Sequence, residues 1–122
     1  MNIGFTGHRN KLTAPAELRQ LETDYPGAVW IHGGAIGFDT QVNTIALELG
    51  KVLGETLIVI RPNYKKYPRY AAPIIRNKEI VERSDMLVAC WDGREEGGTH
   101  QCKSYAEGRE VPVKFVSVKE VG

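Results

Sequence analysis

Five apolar runs of strand length punctuate the chain: residues 3–6, 28–32 (AVWIH), 56–60 (TLIVI), 86–91 (MLVACW) and 113–118 (VKFVSV). β-Branched side chains enrich the third, and the last alternates apolar and polar positions as an edge strand does. Between these runs the apolar period changes. In "TAPAELRQLETDY" Leu18, Leu21 and Tyr25 fall at helical spacing, with Thr13 as the N-cap and Pro15 in the first turn. In "FDTQVNTIALELG" the apolar face is Phe38, Val42, Ile45, Ala46 and Leu49, and Gly50 supplies the stop. A third helix begins near Pro73 after a long, proline-broken loop, and a fourth follows Thr99 and closes at Gly108. Trp30, Phe38 and Trp91 are expected in the core.

Strands that alternate with helices predict a single α/β domain over residues 1–122, a Rossmann-like three-layer arrangement around a five-stranded, mainly parallel sheet. Right-handed crossovers and a change of strand order beside the first strand complete the prediction. Sheets of this kind bind ligands at the carboxyl ends of their strands, where loops and helix N-termini converge. This chain collects its polar residues there. "TGHRN" follows the first strand, "HGGAIGFD" the second, "RPNYKKYPRY" the third and "WDGREEGGTH" the fourth.

Two of these segments have the composition of an anion cradle. Gly33, Gly34 and Gly37 lead into one helix, and Gly97, Gly98 and Thr99 into another; bare backbone and exposed N–H groups at such places favour phosphate. Either segment alone is also what a tight strand-to-helix turn requires, but the pair points to a phosphorylated ligand of nucleotide size. Arg76 and Asn77, placed in or at the first turn of the third helix, offer a bidentate phosphate contact or a solvated helix end. Asp39 is either an acceptor for ribose hydroxyls or a carboxylate that serves its own helix start. Gly7, His8, Arg9 and His100 stand on the same edge as candidate ligand contacts, whereas His32, ending an apolar strand, reads as structural. Tyr64, Tyr67 and Tyr70 interleave with Lys65, Lys66 and Arg69, a composition that stacks bases or simply keeps a loop soluble.

Composition narrows the choice of partner. Sixteen Lys and Arg against fifteen Asp and Glu leave a net charge of +1, so no global basic field draws duplex DNA, and any nucleic-acid contact must be local. The two cysteines, Cys90 and Cys102, lack the spacing of a disulfide framework or zinc site, and the three histidines lack ligand spacing. Reduced thiols, no metal and no resident cofactor are expected. No apolar run approaches membrane-spanning length and no charged leader precedes one, so a cytoplasmic protein without a membrane partner is expected.

Taken together, "IGFTGHR", "IHGGAIGFD", "RN" at Arg76 and Asn77, and "GGT" at Gly97, Gly98 and Thr99 follow a familiar order and spacing. By these motifs the chain resembles the SLOG superfamily of Rossmann-like domains, which includes the Smf/DprA DNA-processing proteins and the Lonely Guy (LOG) phosphoribohydrolases. It looks most like the small YspA-like group. The resemblance implies a Rossmannoid fold, a site for nucleotides or nucleotide-derived molecules, and assembly into a homo-oligomer, with the last strand as a candidate interface. LOG enzymes release the base from a nucleoside 5′-monophosphate with an arginine and with the glutamate of a "PGGxGTxxE" motif. Arg76 falls where that arginine lies, but Cys102 takes the place of the glutamate, which leaves Glu95 or Glu96 as substitutes from the loop. The expected function is therefore binding of a nucleotide or nucleotide-derived phosphorylated ligand, as a sensor or carrier. The alternatives are a LOG-type N-glycosidase acting through Arg76 and Glu96, and single-stranded DNA binding as in DprA, which rests on the tyrosine and lysine loop.

Overall fold

The computed structural model describes residues 1–120. Eleven elements follow one another: β1 (Asn2–Gly7), β2 (Lys11–Leu12), α1 (Pro15–Asp24), β3 (Val29–His32), α2 (Phe38–Glu48), β4 (Leu57–Val59), α3 (Ala72–Glu82), β5 (Met86–Cys90), α4 (Gly98–Gly108), β6 (Val113–Phe115) and β7 (Lys119–Glu120). Five of the strands form one parallel sheet in the order β4-β3-β1-β5-β6. β1 therefore lies at the centre with β3 on one side and β5 on the other, and the chain reverses its direction of travel across the sheet at that point. Among the described residues no helix is long and apolar enough to cross a membrane.

The side-chain alternation of the strands divides the interior into two cores. Ile3 and Phe5 of β1, Trp30 of β3 and Met86, Val88 and Cys90 of β5 meet Leu18 and Leu21 of α1 and Phe38, Val42 and Ile45 of α2. On the other face Ile31 and Leu87 meet Ile80 and Val81 of α3 and Cys102 and Ala106 of α4. Both cysteines are buried and free, and burial pushes each thiol up to about 11. That keeps them protonated and unreactive at neutral pH.

Several local expectations need correction. The last main-sheet strand ends at Phe115 rather than at residue 118; Val116 drops its side chain into the first core, and the chain turns to form β7. β7 pairs antiparallel with β2, placing Lys11 opposite Glu120 with their charged groups 2.6 Å apart, and nothing in the local pattern of either segment announces this pairing. Thr13 does not cap α1. Ala14 is the N-cap, without a side-chain bond, because the Thr13 hydroxyl is drawn to Glu17 (3.1 Å) and Ser117 (3.2 Å). Trp91 lies beyond the end of β5 and is only half-buried, donating its indole N–H to Arg94 O (2.7 Å) and packing on Phe115. The loop before α3 is built from two ordered turns: Asn63 accepts from the backbone of Lys65, Lys66 and Tyr67, and Pro68 O accepts from Ala71 and Ala72.

Candidate functional site

The carboxyl ends of β1, β3, β4 and β5 open on one cleft of about 590 Å³. Of the residues singled out in the sequence, Gly7, His8, Arg9, Gly33, Gly34, Asp39, Arg76, Asn77, Gly97, Gly98 and Thr99 line it. Three do not. Gly37 faces the backbone of the β1–β2 connection, Glu96 is exposed outside the lining, and His100 turns into a separate groove of about 460 Å³ between α3 and α4. Arg61 and Arg94 also line the cleft, and sequence reasoning passed over both. Their position was the available signal, since each sits in a segment that follows a strand at the same edge.

The glycine loop after β3 does something other than hold an anion on its amides. Asp39, 6% exposed, accepts with Oδ2 from Gly33 N (3.1 Å) and Ala35 N (3.2 Å), and His32 Nδ1 accepts from Gly34 N (2.9 Å). His32 is itself fixed by Asn43 through Nε2 (2.9 Å). The first three amides of the supposed cradle are thus satisfied from within. The carbonyls face the other way: Gly33 O accepts from Arg76 Nη1 (2.5 Å) and Gly34 O from Arg61 Nη1 (3.3 Å). A methyl group on Gly33 would collide with the Arg76 guanidinium, and one on Gly34 would come within 2.6 Å of Arg61 Nη1. Both glycines lie against arginines of this chain, and Gly34, at φ 71°, is also in a conformation that a side chain would strain.

Arg76 sits in the second turn of α3, one turn deeper than the pattern suggested, because the helix opens at Ala72 with Pro73 in its first turn. Its Nε donates to Asn77 Oδ1 (2.8 Å). Half-burial pushes the guanidinium below its usual range, while Asp39 opposes that shift. Burial raises Asp39 above the usual carboxylate range, opposed by His32, Arg76 and the two amides, and its Oδ1 is buried without a hydrogen-bond partner. The Asp39 carboxyl group thus lies within electrostatic reach of the Arg76 guanidinium.

At the far side of the cleft, α4 starts without a side-chain cap. Gly97 is the N-cap at φ 89°, and the N–H groups of Gly98, Thr99 and His100 have no protein acceptor among the described residues. Such amides, with the partial positive charge of the helix start, suit an anion. The loop leading to α4 is braced by Asp92, which Arg94 grips through Nε (3.0 Å to each carboxylate oxygen) and Nη2 (2.5 Å). His8 Nε2 accepts from Asp92 N (3.2 Å), and burial lowers the imidazole below its usual range despite the neighbouring carboxylate. The same nitrogen lies 3.0 Å from Asp92 Oδ1, so His8 seats the loop against both the amide and the carboxylate of Asp92.

No family model matches the chain, and no curated protein matches it. The crystal structure of TM1055, a structural-genomics target, is similar with a TM-score of 0.63 at 18% identity, over 92% of this chain and 71% of that one. At that identity the likeness is one of fold, and it agrees with the three-layer architecture built around the five-stranded parallel sheet.

Proposed function

We propose that the cleft binds a nucleotide or nucleotide-derived phosphorylated ligand, and that the protein acts as a sensor or carrier of it. The observation that supports this reading is the joint presence, in one cleft, of three arginines that form no ion pair among the described residues (Arg9, Arg61 and Arg76) and the uncapped N-terminus of α4, in a chain whose net charge is only +1. Positive charge concentrated in a concave, partly dry site selects an anionic ligand. A volume near 590 Å³ is suited to a mononucleotide. Calorimetric titration with nucleoside monophosphates and ADP-ribose derivatives is expected to give saturable heat; a flat trace across the set would sink the reading.

Cleavage of such a ligand is the second reading. Arg76 lines the cleft, and so does one carboxyl group, that of Asp39. Against it, Asp39 already holds two amides, Cys102 is a buried thiol, and neither Glu95 nor Glu96 lines the cleft. Release of free base from AMP, abolished in Arg76→Ala, is what this reading requires. For single-stranded DNA no observation speaks: of the loop tyrosines only Tyr64 reaches the cleft, and Lys66 rests over the ring of Tyr67 (5.3 Å).

A further inference from the structure

The peptide planes of the glycine loop carry a division of labour. In a trans peptide the C=O of one residue and the N–H of the next point in opposite directions. In the Gly33–Gly34 peptide, the N–H is held by His32 Nδ1 and the C=O receives Arg76. In the Gly34–Ala35 peptide, the N–H is held by Asp39 Oδ2 and the C=O receives Arg61. Two consecutive peptides, each anchored on its amide side by one buried side chain, therefore hold two guanidinium groups on successive carbonyls in the lining of one cleft.

Asp39 attracts Arg76 through space but makes no ion-pair contact with either arginine. Neither Arg61 nor Arg76 forms an ion pair among the described residues, while all the other salt bridges present pair their cations elsewhere. A guanidinium has five N–H donors. Arg61 commits one nitrogen to the protein and Arg76 two, so both keep donors for a ligand. Like charges on adjacent carbonyls, one of them half-buried, repel unless an anion joins them.

We propose that Arg61 and Arg76 form a paired clamp for a dianionic phosphate monoester, with His32 and Asp39 as the positioning residues that aim them. This rests on the reading of the cleft as a phosphate site and deepens it: two charges and a doubled fork fit the dianion of a monoester better than the single charge of a diester or carboxylate.

The test titrates the full chain with inorganic phosphate, phenyl phosphate and the diester dimethyl phosphate, following amide NMR shifts of Gly33, Gly34 and Gly98. The wild type is expected to favour the first two, with affinity rising as pH passes about 6, where the monoester loses its second proton. Arg61→Ala and Arg76→Ala should each weaken binding about tenfold, the worth of one charge-assisted hydrogen bond, and flatten that pH profile. Asp39→Ala should do the same, and Asp39→Asn, whose amide oxygen accepts the same two N–H bonds, should restore affinity. Arg61 is exposed, so its variant tests the clamp even if an Asp39 variant does not fold. If phosphate binds but both arginine variants keep wild-type affinity and pH profile, the clamp is overturned while the phosphate reading stands. If Asp39→Ala folds and binds normally, its positioning role is wrong. If the wild type binds none of the three probes, the phosphate reading falls and takes the clamp with it.

Discussion

Gly33 and Gly37 look alike in the sequence and do different work. The space beside Gly33 is filled by the flexible end of Arg76, so a methyl group there displaces the arginine at little cost to the fold. Gly37 has φ 88°, and a Cβ on it would lie 2.6 Å from Arg9 C and 2.7 Å from His8 O, atoms of the backbone that have nowhere to go. Gly33→Ala is therefore expected to leave the melting temperature nearly unchanged and to weaken phosphate binding about tenfold. Gly37→Ala should cost about 2 kcal/mol or more in urea denaturation. Equal losses of stability in the two variants would contradict this account. Asp39 teaches the same lesson from the polar side: from its place in a helix start both a ligand contact and a local partner were open readings, and the fold uses it for the local amides.

At the scale of elements, α2 and α4 both begin at a glycine N-cap without a side-chain bond, yet they are not equivalent. The loop entering α2 is closed by its own carboxylate, while the first turn of α4 is acidic-free and its amides stay open. Placing a carboxylate there should set stability against binding. Gly98→Asp is expected to raise stability by roughly 0.3–1 kcal/mol through the helix dipole, and to weaken phosphate binding by adding a negative charge to the cleft wall. Thermal denaturation and phosphate titration of this one variant check both signs, and a variant that is stabilised yet binds normally would place the ligand elsewhere. Helix and strand order was legible from apolar period; the end of β6 at Phe115 and the β2–β7 pair were not, because that pairing joins residues 109 apart in sequence.

For the molecule as a whole, one sheet separates two apolar layers, so the cores are coupled only through the strands between them. Leu18 and Ile80, both fully buried, represent the two sides. Leu18→Ala and Ile80→Ala should each cost about 2–5 kcal/mol, and the double variant should lose the sum within roughly 0.5 kcal/mol. Urea denaturation is expected to show a single transition, coincident by Trp fluorescence and far-ultraviolet circular dichroism, as one cooperative domain requires. Two separated transitions would mean that the layers fold independently. The cleft draws its walls from both layers, Asp39 from one and Arg76 from the other, so its geometry depends on this coupling.

What the sequence by itself determined was the order of elements, the parallel three-layer architecture and the edge on which the polar residues gather. Those follow from apolar period and strand-to-helix alternation, which are properties of near neighbours in the chain. Only the tertiary structure decided which N–H groups remain free and which arginines face the cleft. Arg61 and Arg76 reach the glycine loop across 27 and 43 residues of chain, and a hydrogen bond of that span leaves no periodic trace in the residues between.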